Sequence, residues 1–390
     1  MVARGTSERR ARAKIRPRRV PAAVPSSRAS STASPVPPHA TGRAGGARGS
    51  RMRAVLVDGA IGFDAHDVPE RAAALEAAGF DGLWSAETGH DPLLTLALAA
   101  PATTRAALGT AIVVAFGRSP LITATMANDL QLLSGGRLLL GLGSQIKPHI
   151  EKRYSMPWSH PAARMREYVL AMRAIWSSWH EGTRLFFRGE FYRHTLMTPF
   201  FNPGPNPYGA PKVFVAAVGE RMTEVAGEVA DGLLVHPFTT ERYLREVTLP
   251  ALERGLAASG RRREDVQVAL SGMVVAGEDE DARRRHALET RRQIAFYAST
   301  PAYRGVLDLH GWADLQPRLN EMSRQGRWEE MGELIDDEVL DAVSVVGPVE
   351  TLGRSVLERF AGVVDRFSVY PSVHLGAGDV DRVRAEIQRG

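Results

Sequence analysis

Cysteine is absent from the 390-residue chain, which removes disulfides, thiolate–metal sites and cysteine nucleophiles together. No apolar run approaches the roughly 18–20 residues that a bilayer-spanning helix needs. The sequence also has no HExxH, no GxSxG elbow and no GxxxxGKS/T loop, so zincin, α/β-hydrolase and P-loop chemistry are all excluded. Acid is nearly missing from one region. Residues 1–51 hold twelve Lys and Arg side chains against a single acid, Glu8, a local charge of +11. With +5 over the whole chain, the remainder carries −6, so any polyanion-binding argument applies to the tail alone.

That tail is built from Arg, Pro, Ser, Ala and Gly and has too little apolar surface to offset chain entropy. Residues 1–51 are therefore expected to be a disordered basic extension. Their Arg- and Ser-rich, acid-poor composition also looks like an organelle transit peptide; the reading adopted is a non-structural extension, with residues 52–390 the functional domain. A cytoplasmic protein is expected, with a small-molecule substrate, no membrane and no nucleic-acid partner, and with a homodimer as the candidate assembly.

From Met52 short apolar runs alternate with amphipathic segments. Strands are expected at Arg53–Asp58, Asp81–Ser85, Leu108–Val114, Arg137–Leu142, Lys212–Ala217, Gly232–His236, Val266–Val275 and Asp365–Pro371. Helices fall between them, including one with Ile122, Met126, Leu130 and Leu133 on one face. Strands that are apolar throughout read as parallel and covered on both sides. Over this length a (β/α)8 TIM barrel with insertions fits better than a doubly wound sheet. The Phe186–Tyr208 stretch is too long for a routine connection and reads as an active-site loop or small hairpin.

Barrel active sites are built at the carboxyl ends of the strands. That places Glu87–His90 after strand two, Ala115–Arg118 after strand three, Gly143–His149 after strand four and Val218–Met222 after strand five. His236-Pro237 follows strand six, and Ser372-Val373-His374 follows strand eight. The loops after strands four and five lead into helices, where free N–H groups and the helix dipole suit a phosphate. Glu87, His90, His149, His236 and His374 could gather at a metal, but no pair has ligand spacing on a helix, so no metal site is expected. Glu87 could instead pair with Arg118, and His90 could cap the next helix. Trp84, Phe116 and Trp158 read as packing.

At these same positions the sequence resembles the luciferase-like monooxygenase superfamily, most closely its coenzyme F420-dependent branch. The segments that carry the likeness are Glu76–Trp84 (EAAGFDGLW), Leu108–Ile112 (LGTAI), Ser134–Arg137 (SGGR) with Gly141–Ser144 (GLGS), and Ala230–Gly232 (ADG). The resemblance implies a flavin-type ring stacked on a strand-three bulge with a non-prolyl cis peptide, here Ala111–Ile112. It implies a phosphate over Gly143, Ser144, Gln145 and His149 on one side and Val218, Gly219, Glu220, Arg221 and Met222 on the other. An acid or base comes from the strand-two end, where His90 is the favoured proton carrier and Glu87 its orienting or cofactor-contacting partner. Some F420-dependent relatives carry an Asp-His pair after strand two, a threonine after the bulge and a carboxylate after strand four. The nearest positions here are Ala86-Glu87, Val114 and Ile146, so the likeness does not bring a substrate with it.

Hydride transfer through coenzyme F420 is thus the leading expectation, with the substrate entering beneath the Phe186–Tyr208 insertion. An FMN-dependent monooxygenase on the same fold is the first rival, separable by spectrum and oxygen uptake. A barrel scaffold with a nucleic-acid-binding basic arm is the second.

Overall fold

The computed structural model describes residues 54–370 and 375–390. The expectation for residues 1–51 and the loop Ser372-Val373-His374 lie outside the described residues. Among the described residues eight strands form one closed sheet: β1 (Leu56–Ala60), β2 (Gly82–Ser85), β3 (Ala107–Thr110, resumed at Val113–Val114), β4 (Leu138–Gly143), β5 (Lys212–Ala217), β6 (Gly232–Val235), β7 (Gln267–Val275) and β8 (Arg366–Val369). Each pairs in parallel with its sequence neighbour, and β8 returns to β1 through Leu56↔Arg366, which closes the ring. The fold is a (β/α)8 TIM barrel, and all eight strands read from the sequence are in it.

Helices α1 (Val68–Ala78), α2 (Pro92–Ala99), α3 (Pro120–Leu133), α4 (Pro161–Glu181), α5 (Glu220–Val229), α6 (Leu249–Ala258), α7 (Val349–Phe360) and α8 (Ala377–Arg389) complete the units. Their ends follow local chemistry. Asp91 accepts the Leu93 N–H and Ser119 that of Ile122, each beside a proline whose missing N–H costs nothing in a first turn. Gly79 ends α1 at φ 104°, a conformation that side chains with a Cβ avoid. Among the described residues no helix is long and apolar enough to cross a membrane.

The barrel interior is filled by Trp84, Leu139, Phe214, Leu234 and Ala269. Two glycines make this packing feasible: a Cβ at Gly109 would lie 2.3 Å from the Trp84 ring, and one at Gly232 2.1 Å from Phe214. Nearer the amino end, Arg366 clamps Asp58 at 2.6 and 2.8 Å, and the Trp84 indole N–H adds a third bond at 2.8 Å. The amino-terminal rim is stapled by side chains that accept strand-starting amides. Asp81 takes the Val57 N–H, Asp231 that of Val213 and Asp365 that of Val268, each at 2.8 Å. Glu76 does the same for Thr104, Arg105 and Ala106 just before β3, while Arg137 donates to the carbonyls of Ala100, Thr103, Ala106 and Ser134.

Two features differ from the sequence reading. On α3 the larger apolar residues Ile122, Met126 and Leu133 face outward, and only Leu130 of that set is buried. The inward face is Thr123, Ala124, Ala127 and Asn128, whose small size lets α4 approach closely; the Trp176 N–H reaches the Ala124 carbonyl at 3.0 Å. The Phe186–Tyr208 insertion contains a hairpin (Phe187–Arg188 with Arg193–His194), but it starts from the far end of α4 and binds the outside of the barrel. Glu167 of α4 accepts the N–H groups of Glu190, Phe191 and Tyr192, and Asn128 of α3 holds Asn206. The hairpin turn reaches the mouth-side end of α4, where Arg164 donates to the Tyr192 hydroxyl at 2.9 Å and Phe191 meets His160.

A different segment covers part of the mouth. Between β7 and a short strand, Ser344–Val346, that pairs in parallel beside its end, residues 280–343 form a helical cap with its own core. That core includes Ile294, Ala298, Leu307, Leu319 and Val339, and it packs on Phe238 and Met273 of the barrel.

Candidate active site

Successive strand residues point to opposite faces, so the positions two past the interior layer face the mouth. Most are small: Ala60, Ala86 and Ala111 are exposed there, with Ala216, Ser271 and Ser368 half-buried, and His236, two past Leu234, is the large exception. Small inward residues on β1–β3, β5, β7 and β8 leave room at the carboxyl end for a flat ligand.

Strand β3 supplies its ledge. Gly109 pairs with Leu139 but Val113 pairs with Leu142, so β3 carries one extra residue between those points, a bulge. The Ala111–Ile112 peptide within it is cis, as the family resemblance implied. Thr110 bridges the broken ladder, its hydroxyl donating to the Gly141 carbonyl at 2.8 Å and accepting the Gly141 N–H at 2.9 Å. On the other side the Ala111 N–H reaches Ser85 and the Ile112 carbonyl accepts the Glu87 N–H. Gly143 is required opposite the bulge, because a Cβ there would sit 2.7 Å from the Ile112 side chain.

The strand-two loop is organised differently from the sequence expectation. Glu87, with its side chain 7% exposed, accepts the Val114 N–H at 2.8 Å, an Arg118 N–H at 2.6 Å and the Tyr154 hydroxyl at 2.7 Å. These are its hydrogen bonds among the described residues, and none is to His90. Glu87 is therefore not the orienting partner of His90; the ion pair with Arg118 is the arrangement realised. Arg118 turns its other nitrogen to Asp91 at 2.7 Å. Burial disfavours the Arg118 charge, but its bonds and attraction to Glu87 and Asp91 outweigh that and raise its pKa. The Tyr154 phenol is pushed up to about 12, first by burial and then by its bond to the Glu87 carboxylate. His90 is exposed and stacks on Phe63 with ring centroids 4.5 Å apart, and Asp91, not His90, caps α2.

The two phosphate-type loops lie where expected. After β5, Gly219 is the N-cap of α5 with no capping side chain and open space at its Cα, so the amides of Glu220, Arg221 and Met222 lack partners within the helix. The Glu220 carboxylate is drawn away to Arg254 at 2.6 Å, which keeps an acid off those amides. After β4, Ser144 donates to the Gln145 carbonyl, Gln145 takes φ 58°, and a short helix carries Lys147, His149 and Lys152 with exposed side chains. Phe116 packs edge-on against Trp158 under the Arg164 guanidinium, consistent with packing roles.

One cluster escaped the sequence reading. His236, one residue past β6, stacks on Tyr303 at 4.4 Å and meets Tyr297 edge-on at 4.6 Å, while the Tyr297 and Tyr370 hydroxyls bond each other. Tyr297 and Tyr303 come from the cap and follow no motif; only the position of His236 at a strand end signalled the place. Among the described residues no three His, Asp or Glu side chains gather in a ligand geometry.

The chain matches the luciferase-like monooxygenase family over residues 39–366. It belongs to that family. An uncharacterized protein of Mycobacterium tuberculosis is 57% identical over 314 residues, which cover 80% of this chain and 92% of that protein. A 5,10-methylenetetrahydromethanopterin reductase of Archaeoglobus fulgidus is 28% identical over 292 residues, covering 73% and 82%. Among solved structures, the coenzyme F420-dependent tetrahydromethanopterin reductase of Methanopyrus kandleri superposes with a TM-score of 0.68 at 21% identity, covering 86% of this chain and 98% of that one. A luciferase-like barrel needs room for a ring and donors for a phosphate. The exposed Ala111 ledge and the uncapped amides of Gly219–Met222 fit both requirements.

Proposed function

We propose that this luciferase-like protein is a coenzyme F420-dependent oxidoreductase, transferring a hydride between the deazaflavin and a small organic substrate. The observation that carries it is the pairing of an open β3 ledge with an uncapped α5 N-terminus, whose acid Glu220 is turned away to Arg254, at one barrel mouth. The name of the Methanopyrus kandleri reductase, which includes coenzyme F420, supports the deazaflavin over FMN. When bound, the cofactor supplies or accepts an electron pair as hydride at carbon and reacts poorly with oxygen.

The chain's own residues do the rest. Ala111 and Ile112 support the ring, held rigid by Thr110 on one side and the Ser85 and Glu87 backbone on the other. The amides of Gly219, Glu220, Arg221 and Met222 hold the phosphate, with Gly143, Ser144, Gln145 and His149 across from them. Glu87, Arg118 and Tyr154 lock the ledge from behind. A carbonyl–alcohol interconversion also moves a proton; His90 is the carrier suggested by sequence, on the loop beside the ledge.

Titrating the protein with F420 and with FMN, followed by cofactor fluorescence, tests the proposal. Tighter F420 binding, lost on Gly219→Asp, is the expected result. Preferential FMN binding with oxygen uptake during turnover would refute it.

A further inference from the structure

Helices on the outside of a barrel bury one face on the strands and give the other to water, so their outer faces carry charge. The last two barrel helices follow that rule: α7 has four charged residues in twelve and α8 six in thirteen. Helices α2 and α3 break it. The eight residues of α2 and the fourteen of α3 hold one charge between them, Asp129. The solvent-facing arc of α3 is Ile122, Thr125, Met126, Asp129, Leu132 and Leu133, all exposed and recurring at helical spacing. Leu94, half exposed, continues the apolar surface onto α2.

The insertion borders this arc on its α4 side. Asn206 donates to the Asn128 side chain and the Tyr208 carbonyl accepts from Gln131, both within one turn of Leu132. At its other end the Met197 sulfur accepts the Trp179 N–H of α4. Between these two anchors the chain projects an apolar arm, Pro199–Phe201. Phe200 is 90% exposed and Phe201 71%, and Leu196 just before them is 78% exposed. Large apolar side chains held out this far on well-anchored backbone are a surface awaiting a partner, since nothing in the folded barrel needs them there.

We infer that the outer face of α2 and α3, together with the Leu196–Phe201 arm, docks a second copy of this chain about a two-fold axis. Its apolar side chains expose on the order of 1,000 Å², beyond the roughly 300–600 Å² of the largest patch on a typical monomer and enough for the about 800 Å² per partner of a standard interface. Depletion of charge marks the centre of an interface, and homodimer contacts are the most apolar of them. An isologous contact asks only that the face fit itself, whereas a face with one charge offers little to select a different, charged partner. The chain's own extension does not supply the cover. Residues 1–51 contain no Leu, Phe, Tyr or Trp and hold twelve cations, which suits neither an aromatic arm nor a leucine-lined helix. The inference stands apart from the cofactor reading, because no residue of this face is assigned to the ledge or the phosphate loops.

Sedimentation equilibrium of the full chain at micromolar concentration should give twice the 42.4 kDa chain mass. Met126→Lys and Leu133→Lys replace exposed side chains, so the circular dichroism spectrum should not change. The dissociation constant should rise by at least about 100-fold in each, because the two-fold axis brings every introduced charge into the contact twice. Leu288→Lys, at a similarly exposed apolar site on the cap, should leave the dimer intact. The absence of cysteine allows a second readout that needs no disruptive change. Under oxidation, at least one of Ile122→Cys, Met126→Cys and Leu133→Cys should give a disulfide-linked dimer, and Leu288→Cys should give none. A monomer at these concentrations overturns the inference, even where another protein is found on the face. So does a dimer that keeps its affinity in both lysine variants and cross-links through none of the α3 cysteines.

Discussion

Replacing Glu87 with alanine probes whether this carboxylate is a structural lock or part of the proton machinery. The change strips one acceptor from three donors: the Val114 N–H, an Arg118 N–H and the Tyr154 hydroxyl. Removing one partner of a buried ion pair costs about 3–5 kcal/mol. Arg118 keeps Asp91 at 2.7 Å and is 15% exposed, so its share belongs at the lower end, about 3 kcal/mol. The stranded Val114 amide adds about 1 kcal/mol. Urea unfolding followed by circular dichroism should therefore show Glu87→Ala destabilised by about 4 kcal/mol, with an unchanged slope. Tyr154→Phe removes one bond to a charged acceptor and should cost about 1.5–3 kcal/mol, coupled to the Glu87 change in a double-mutant cycle. A Glu87→Ala cost below about 1 kcal/mol would refute the lock. The kinetic arm separates the roles: because Glu87 does not touch His90, Glu87→Gln should leave the midpoints of the pH–rate profile where they are. A displaced midpoint would return Glu87 to the proton path.

Three further outcomes follow from particular contacts. The Glu76 carboxyl is lowered to about 2: burial would raise it, but the N–H groups of Ala106, Thr104 and Arg105 outweigh that. Its contribution is present above about pH 4.5 and lost as pH falls toward 2, worth about 1 kcal/mol after solvent screening; acid titrations of Glu76→Gln should lack that increment. His236 has the opposite proton bookkeeping to a salt-bridged histidine. Its pKa is lowered by burial to about 4, so the unfolded chain binds the proton first, and stability is full above about pH 6.5 and declines as pH falls toward 4. The decline is at most about 3 kcal/mol, and His236→Phe should flatten it in urea titrations between pH 7 and 4. Gly232→Ala drives a Cβ to 2.1 Å from Phe214 inside a filled barrel, and a melting-temperature drop equivalent to about 1–3 kcal/mol is expected. An unchanged melting temperature would show that the interior has slack.

The segments that made the family legible are mostly not the ones that do chemistry. In EAAGFDGLW, Glu76 and Asp81 bind strand-starting amides, Gly82 makes way for the Asp58–Arg366 pair and Trp84 fills the interior. In SGGR, Arg137 ties four carbonyls at the same rim, and in ADG, Asp231 repeats the role of Asp81 one half-barrel later. These are amino-terminal staples, and such features specify the fold whatever the substrate. Only LGTAI and GLGS run up to the mouth, and there the β3 bulge with its cis Ala111–Ile112 peptide and the open loops after β4 and β5 stand at the positions read from sequence. Glu87 looked like a catalytic partner because it neighbours His90 in sequence, yet its partners lie 27, 31 and 67 residues away. The insertion at Phe186–Tyr208 reads as a roof because it is long and aromatic. Length does not say at which end of a helix a loop begins, and this one begins at the amino-terminal rim and reaches the mouth-side end of α4 with its hairpin turn. The aromatic cluster could not be found by periodicity or motif, since Tyr297 and Tyr303 belong to a cap inserted after β7 and meet His236 only once both cores have formed. Local pattern reports the barrel; the aromatic cluster around His236 is assembled from residues that chain separation hides.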